Sequence, residues 1–250
     1  MKFKFLSALA GMLILSAACV KDKKIEPAAQ KDASVAFDFT ALANGKTMVA
    51  DLAWYTNANG DSFTVNKFNY YISNIRFKRD DGFVYAEPES YHINRHTAGQ
   101  TTFTVSGLPS GNYTAVEFLI GVDSLRNSSG AQTGALDVNE GMYWDWSTGY
   151  VFFKIEGNYR TPLLTEQSDF SIHVGTTPNI KKCTFELGAG FISAAKNKQS
   201  TIYYNVNINE VFMHPDTLKL DNYHAVSGGR MAGVVSNNYK DMFSIRKVEN

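Results

Sequence analysis

From Val35 onward the chain repeats with a period of two. Val35, Phe37 and Phe39 are apolar, and Ala36, Asp38 and Thr40 lie between them. That alternation predicts a strand with one face turned to a core. Phe68, Tyr70 and Ile72 alternate with Tyr71, Ser73, Ile75 and Phe77. This segment is apolar on both faces, so it is expected in the middle of a packed structure. Asp80-Asp81-Gly82 predicts a hairpin turn before Phe83-Val84-Tyr85, and Leu108-Pro109-Ser110-Gly111 a second turn after Phe103 and Val105. Tyr113–Val122, Tyr150–Ile155 and Ile202–Ile208 read as further strands, and Cys183 alternates with Phe185 and Leu187 as an inward position. Helical periodicity is confined to short stretches near Asn209–Met213 and Asn237–Phe243. Many short strands between Gly, Asn, Asp and Pro imply an all-β fold: a single β-sandwich domain over residues 35–250 with long loops and few short helices.

The first residues follow a different pattern. Lys2 and Lys4 precede an apolar run from Leu6 to Leu15. A run of about ten residues has the length of a signal-peptide h-region, and a membrane span needs about 20. Ser16-Ala17-Ala18 is a small-residue cleavage context, and Cys19 follows it directly. The expectation is a lipoprotein signal peptide over 1–18, with lipid on the Cys19 thiol. Ordinary secretion with cleavage after Ala18 is the alternative. Residues 19–34 are polar and include Pro27, which predicts a flexible tether. The expected location is the cell envelope, as an outer-membrane lipoprotein, periplasmic or surface-exposed.

Charge narrows the partners. Loss of Lys2 and Lys4 with the leader takes Lys+Arg from 24 to 22 against 24 Asp+Glu, a net charge of about −2. A near-neutral chain offers no electrostatic reason to bind nucleic acid. If Cys19 carries lipid, Cys183 has no partner for an intrachain disulfide and reads as a small buried hydrophobe.

Asp123–Met142 is a polar connection rich in Gly, Asn and Ser. A loop of about 20 residues in a compact domain is functional or ordered by side-chain packing. It leads into Gly141-Met142-Tyr143-Trp144-Asp145-Trp146-Ser147-Thr148-Gly149-Tyr150. On an extended backbone Trp144 and Trp146 face one side. They form either a packing cluster, a sugar-stacking platform, or the surroundings of a redox or metal site. The five histidines, His92, His96, His173, His214 and His224, have no zinc-protease spacing, and no CxxC pair is present. No nucleophile triad or phosphate loop is legible, so the residues give no positive argument for an enzyme.

The run from Gly121-Val122-Asp123 through Gly134-Ala135-Leu136-Asp137 to Trp144-Asp145-Trp146-Ser147-Thr148-Gly149-Tyr150 resembles the signature of MbnP-like proteins. Phe68–Asn74 resembles that family's early strand, and Phe170-Ser171-Ile172-His173-Val174-Gly175 its Phe-x-x-His-x-Gly element. His224, with Asn238-Tyr239 and Met242-Phe243, resembles the C-terminal element of lipoprotein members from Bacteroidetes. The resemblance implies a non-catalytic copper-binding protein of the envelope and a dihaem peroxidase-like partner. In such relatives copper is held by histidines together with a tryptophan oxidised to kynurenine. Carried onto this chain, the implied ligands are His173 and His224, with His92 as a third. Met142, Trp144, Trp146 and Tyr150 are the signature residues that would form a ligand face. The chain has Tyr85 where some copper-binding relatives carry Trp, and it lacks the cysteine pairs of proteobacterial members. A different class of function, an outer-membrane module binding glycan or protein through Trp144 and Trp146, is the second expectation.

Overall fold

The computed structural model describes residues 32–250, apart from Trp146, Thr165 and the side chain of Ala189. The expected leader, the Cys19 anchor and most of the tether lie outside the described residues. Ten strands of five residues or more carry the architecture. They are β1 (Ala33–Ala43), β2 (Lys67–Arg79), β3 (Tyr91–Arg95), β4 (Thr102–Leu108), β5 (Gly111–Ile120), β6 (Gly149–Arg160), β7 (Ser168–Gly175), β8 (Lys181–Glu186), β9 (Gln199–Asn207) and β10 (Phe243–Glu249). The first strand opens at Ala33, so Ala33 and Ser34 belong to the domain, where the sequence pattern placed the end of the tether.

Two sheets face each other. In the smaller, β1 runs parallel to β9 along one edge and antiparallel to β4 along the other, and β10 closes the far side of β9. The larger is built on β2, which pairs with β5 over Ile72–Arg79 and with β6 over Lys67–Tyr70. β3 also pairs with Asn69 and Tyr70, so β3 and β6 flank opposite edges of β2. β8 extends the sheet beyond β5, and β7 beyond β6. The turn at Leu108–Gly111 therefore carries the chain from one sheet to the other, since β4 pairs in the first and β5 in the second. Asp80–Gly82 does form the expected hairpin, with Gly82 at φ 88° and the Arg79 N–H donating to Phe83 O. Among the described residues no helix is long and apolar enough to cross a membrane.

The core is the aromatic layer between the sheets. Val35, Phe37, Phe39, Ala41 and Ala43 all point inward from β1. Phe39 stacks on Tyr204 at 4.9 Å and meets Tyr70 and Phe243 edge-on at 6.3 and 5.9 Å. Cys183 lies in this layer as expected, buried and unbridged, with Sγ donating to Lys240 O. Burial pushes its thiol up to about 12, which makes it a packing residue at neutral pH.

The helix at the C-terminal end lies earlier than the local sequence pattern places it. Gly229–Tyr239 is helical, whereas Phe243 opens β10. Ala232, Val235, Ser236 and Tyr239 recur at helical spacing and bury one face, and Phe243 pairs with Val206 as a strand residue. Asn209–Met213 is realised as a 3-10 turn over Ile208–Phe212.

Because β2 is apolar on both sides, it has a second core. Tyr71 points away from Tyr70 and Ile72 and packs with Val122, Leu136, Met142, Tyr150, Val151 and Phe152. The Asp123–Met142 connection supplies the cover. Asp123 caps a short helix, Ser124–Asn127, by accepting from the Leu125 and Arg126 N–H groups. Asn74 and the Tyr91 hydroxyl also donate to Asp123. The Tyr71 hydroxyl donates to Ala135 O at 2.9 Å, and that of Tyr150 to Leu136 O at 2.7 Å. The loop is ordered by side-chain packing, as one of the two expectations for it has it.

Phe39→Ala should cost about 3–5 kcal/mol of unfolding free energy, the range for a fully buried aromatic truncated in a core. Urea denaturation with an unchanged m-value is the check.

Candidate functional site on the outer face of the larger sheet

The side of the larger sheet turned away from the aromatic core is half covered and half open. The covered half is the second core around Tyr71. The open half is a row of outward side chains on β6 and β7. Lys154 pairs with His173 across the strands, Glu156 with Ser171, and Asn158 with Asp169. All six are at least partly exposed.

His173 is the centre of that row. Its Nε2 lies 2.7 Å from Glu156 Oε1 and 3.1 Å from Ser171 Oγ. Burial lowers the His173 pKa, partly offset by Glu156, so the imidazole is neutral at pH 7. Burial pushes Glu156 up, but hydrogen bonds from His173 and Lys67 outweigh it and hold the carboxyl below its ordinary range. A neutral ring beside an ionised carboxylate keeps its proton on Nε2 and its lone pair on Nδ1. Serine, histidine and acid meet here, but Ser171 and Glu156 share one ring nitrogen. A nucleophile triad needs the acid on one nitrogen and the serine on the other.

Trp144 stands at the border of the two halves. It belongs to a short strand, Tyr143–Asp145, that pairs with the start of β6. Its indole reaches over β6 onto Gly175, where a Cβ would lie 2.5 Å from the ring and 2.4 Å from Tyr150 O. Gly175 and His173 are successive outward positions of β7, about 7 Å apart at the rise of a strand. The sequence thus places a tryptophan and a carboxylate-bound histidine side by side on one surface.

The other expected ligands do not join them. Ser171 pairs with Ala225, and the Ser171 N–H donates to His224 O. His224 itself faces the opposite side of the sheet, with its ring against the inward-facing Tyr159 at 5.9 Å. Its Nδ1 lies 3.0 Å from Asp221 O and 3.2 Å from Leu220 O, and so serves as a donor. His92 lies across β2 from both. It pairs with Ile72, stacks on Phe103 at 3.8 Å, and meets Glu87 Oε2 at 2.9 Å through Nε2. The expectation that His173, His224 and His92 converge is therefore corrected. Opposite phase on β7 and on the segment that pairs with its edge separates His173 from His224, and the two edges of β2 separate both from His92. Among the described residues no group of three or more His, Cys, Asp or Glu side chains stands ready to hold a metal ion.

The signature residues also divide. Met142 and Tyr150 are fully buried in the second core, so they are packing residues there and offer no ligand face. Trp144 is partly buried against that core, which engages part of its ring. Trp146 lies outside the described residues. His96, given no role by the sequence pattern, packs on Phe68 at 4.8 Å and bonds the Tyr70 hydroxyl at 2.9 Å. Glu156, Ser171 and Lys67 were not among the expected site residues. Their signal was the outward phase of β6 and β7, read against His173.

Fold and site together define a β-sandwich whose signature loop caps one half of an outer sheet face and leaves a histidine–carboxylate row open on the other. The chain belongs to the MbnP family, whose model matches residues 32–231. Its fold is similar to that of the solved structure titled MbnP from Methylosinus trichosporium, with a TM-score of 0.58 and 16% identity over 88% of this chain and 99% of that one. No curated protein sequence matches the chain.

Acid should unfold the domain through its buried imidazoles. Burial lowers His96 to about 3, against an ordinary 6.5, and lowers His173 in the same direction. The unfolded chain takes up these protons first, so their contribution is fully present above about pH 6.5 and is lost as pH falls toward 3. Thermal unfolding between pH 7 and 4 should show a falling Tm, and His96→Gln should flatten that slope.

Proposed function

We propose that this chain is a non-catalytic, lipid-anchored envelope protein that binds copper on its outer sheet face, with His173 as the protein ligand. The observation that carries the reading is the pairing of His173 Nε2 with Glu156 Oε1 at 2.7 Å. A carboxylate on one ring nitrogen fixes the tautomer and raises the basicity of the other, the usual support for a metal-bound histidine. A neutral imidazole suits copper. Family membership and the nearby indole of Trp144 support the same choice.

The described residues fit one part of such a site: an imidazole and its supporting carboxylate. The thioether of Met142 is buried away from the surface, and His224 faces the other side of the sheet. The signature turn that follows Trp144 is the nearest source of further donors in the sequence. The anchor is Cys19, and the partner suggested by the family reading is a dihaem peroxidase-like protein.

Protein purified without chelators or a histidine tag should carry copper by elemental analysis. His173→Ala should abolish that stoichiometry, and Glu156→Gln should weaken affinity about 10–100-fold. His224→Ala should leave it unchanged. Copper retained in His173→Ala, or lost in His224→Ala alone, would assign the site elsewhere.

A further inference from the structure

A cavity of about 340 Å³ lies where the signature loop meets the start of β3. Glu89 and Tyr91 line it from β3 and the turn before it, and Arg126 and residues 132–136 line it from the loop. None of them belongs to the histidine–carboxylate row of β6 and β7. Two opposite charges meet in this hollow, because the Arg126 guanidinium pairs with the Glu89 carboxylate. Asp123, which also meets Tyr91, stays outside the lining. Its oxygens are taken up by donors from Leu125, Arg126, Asn74 and Tyr91.

Each charge is positioned by groups other than its partner. Arg126 Nη1 donates to Gln132 Oε1 at 3.1 Å, and Gln132 Nε2 donates back to Arg126 O at 2.8 Å. The guanidinium also lies 5.9 Å over the Tyr91 ring. Glu89 has φ 47°, a left-handed conformation uncommon for a residue other than glycine. The buried Ser90 fixes that turn, accepting from the Ile75 N–H at 2.9 Å and donating to Glu87 at 2.6 Å. Residues kept in such conformations cluster at ligand clamps and active sites. The ion pair itself is weakly held. The Glu89 side chain is 75% exposed and that of Arg126 34%, and water screens a pair so placed. A ligand can replace it at little cost.

We infer that this hollow binds a free α-amino acid, with its carboxylate on Arg126 and its ammonium on Glu89. A lone anion would strand the Glu89 carboxylate beside it, and a lone cation would strand Arg126. A zwitterion satisfies both. Because the two side chains touch, the poles of the ligand must lie close together, as they do on one α-carbon. A guanidinium meets a carboxylate through paired N–H donors, which fixes the orientation. Tyr91, Ala135 and Leu136 line the rest of the hollow and suit an apolar side chain. The site is separate in residues and chemistry from the copper reading, which turns on His173.

Isothermal titration calorimetry of the full chain with L-leucine, L-phenylalanine and L-methionine tests the inference. At least one should bind at a single site. Its N-acetyl derivative lacks the ammonium and its amide lacks the carboxylate, and each should bind about tenfold more weakly or worse. Arg126→Gln and Glu89→Gln should each weaken the parent amino acid by about tenfold or more. Glu89→Gln should leave the N-acetyl derivative no weaker than in wild type, since only the ammonium loses its partner. His173→Ala should match wild type, which separates this site from the copper site. Unchanged Tm in each variant excludes a folding defect. Should Arg126→Gln fail to fold, Glu89→Gln at its exposed position decides alone. Absence of binding by all three amino acids would overturn the inference. So would a derivative bound as tightly as its parent, or affinity unchanged in either folded variant.

Discussion

A strand that is apolar on both faces must be covered on both, and β2 is that strand. Phe68, Tyr70 and Ile72 are satisfied by the facing sheet, as in any two-layer sandwich. Tyr71 is not, because it points to the side where a sandwich meets water. Leaving a ring of that size exposed would forfeit roughly 1.5–3 kcal/mol of burial. The Asp123–Met142 connection resolves this by folding back over the sheet and offering Leu136 and Met142 as cover. Its own polar backbone is satisfied locally, by the Asp123 cap and by the hydroxyls of Tyr71 and Tyr150. Gly121 allows the turn into this loop to lie directly against Phe152, which would stand 2.8 Å from an added Cβ.

That cover determines where chemistry can happen. The loop ends against Lys154, whose Nζ donates to Gly141 O at 2.6 Å. Beyond this contact the same sheet face is bare, and His173, Glu156, Ser171 and Asp169 occupy it. The border itself is Trp144 lying on Gly175, so the family signature marks the seam between a closed and an open surface. Much of the signature is explained by packing, since Met142 and Tyr150 hold the cap in place. Functional groups next to it are then held on strands whose inward residues are locked in the main core, which suits a site that must keep its geometry.

Much of this was legible in the sequence because a strand's two faces are written in alternate letters. The inward series of β1, the two-sided character of β2 and the inward phase of Cys183 follow directly from period two. The long polar loop was legible as an exception, but that it covers Tyr71 is visible only in the structure. What local pattern could not give was the meeting of distant segments. His173 and His224 look equivalent as isolated histidines, yet a one-residue difference in phase sends them to opposite faces of the sheet. His92 is separated from both by β2. The C-terminal helix ends earlier than its local pattern implies, because the apolar residues around Met242 and Phe243 continue its hydrophobic character while serving a strand.

The central claim is that Tyr71 and the signature loop form one cooperative unit on the outer face, distinct from the core between the sheets. Hydrogen exchange on Tyr71→Ala tests it most directly. The account predicts faster exchange across Asp123–Met142 and the first residues of β6, with β1, β4 and β9 protected as in wild type. Uniform acceleration through both sheets, or a loop whose amides exchange as slowly as before, would contradict it.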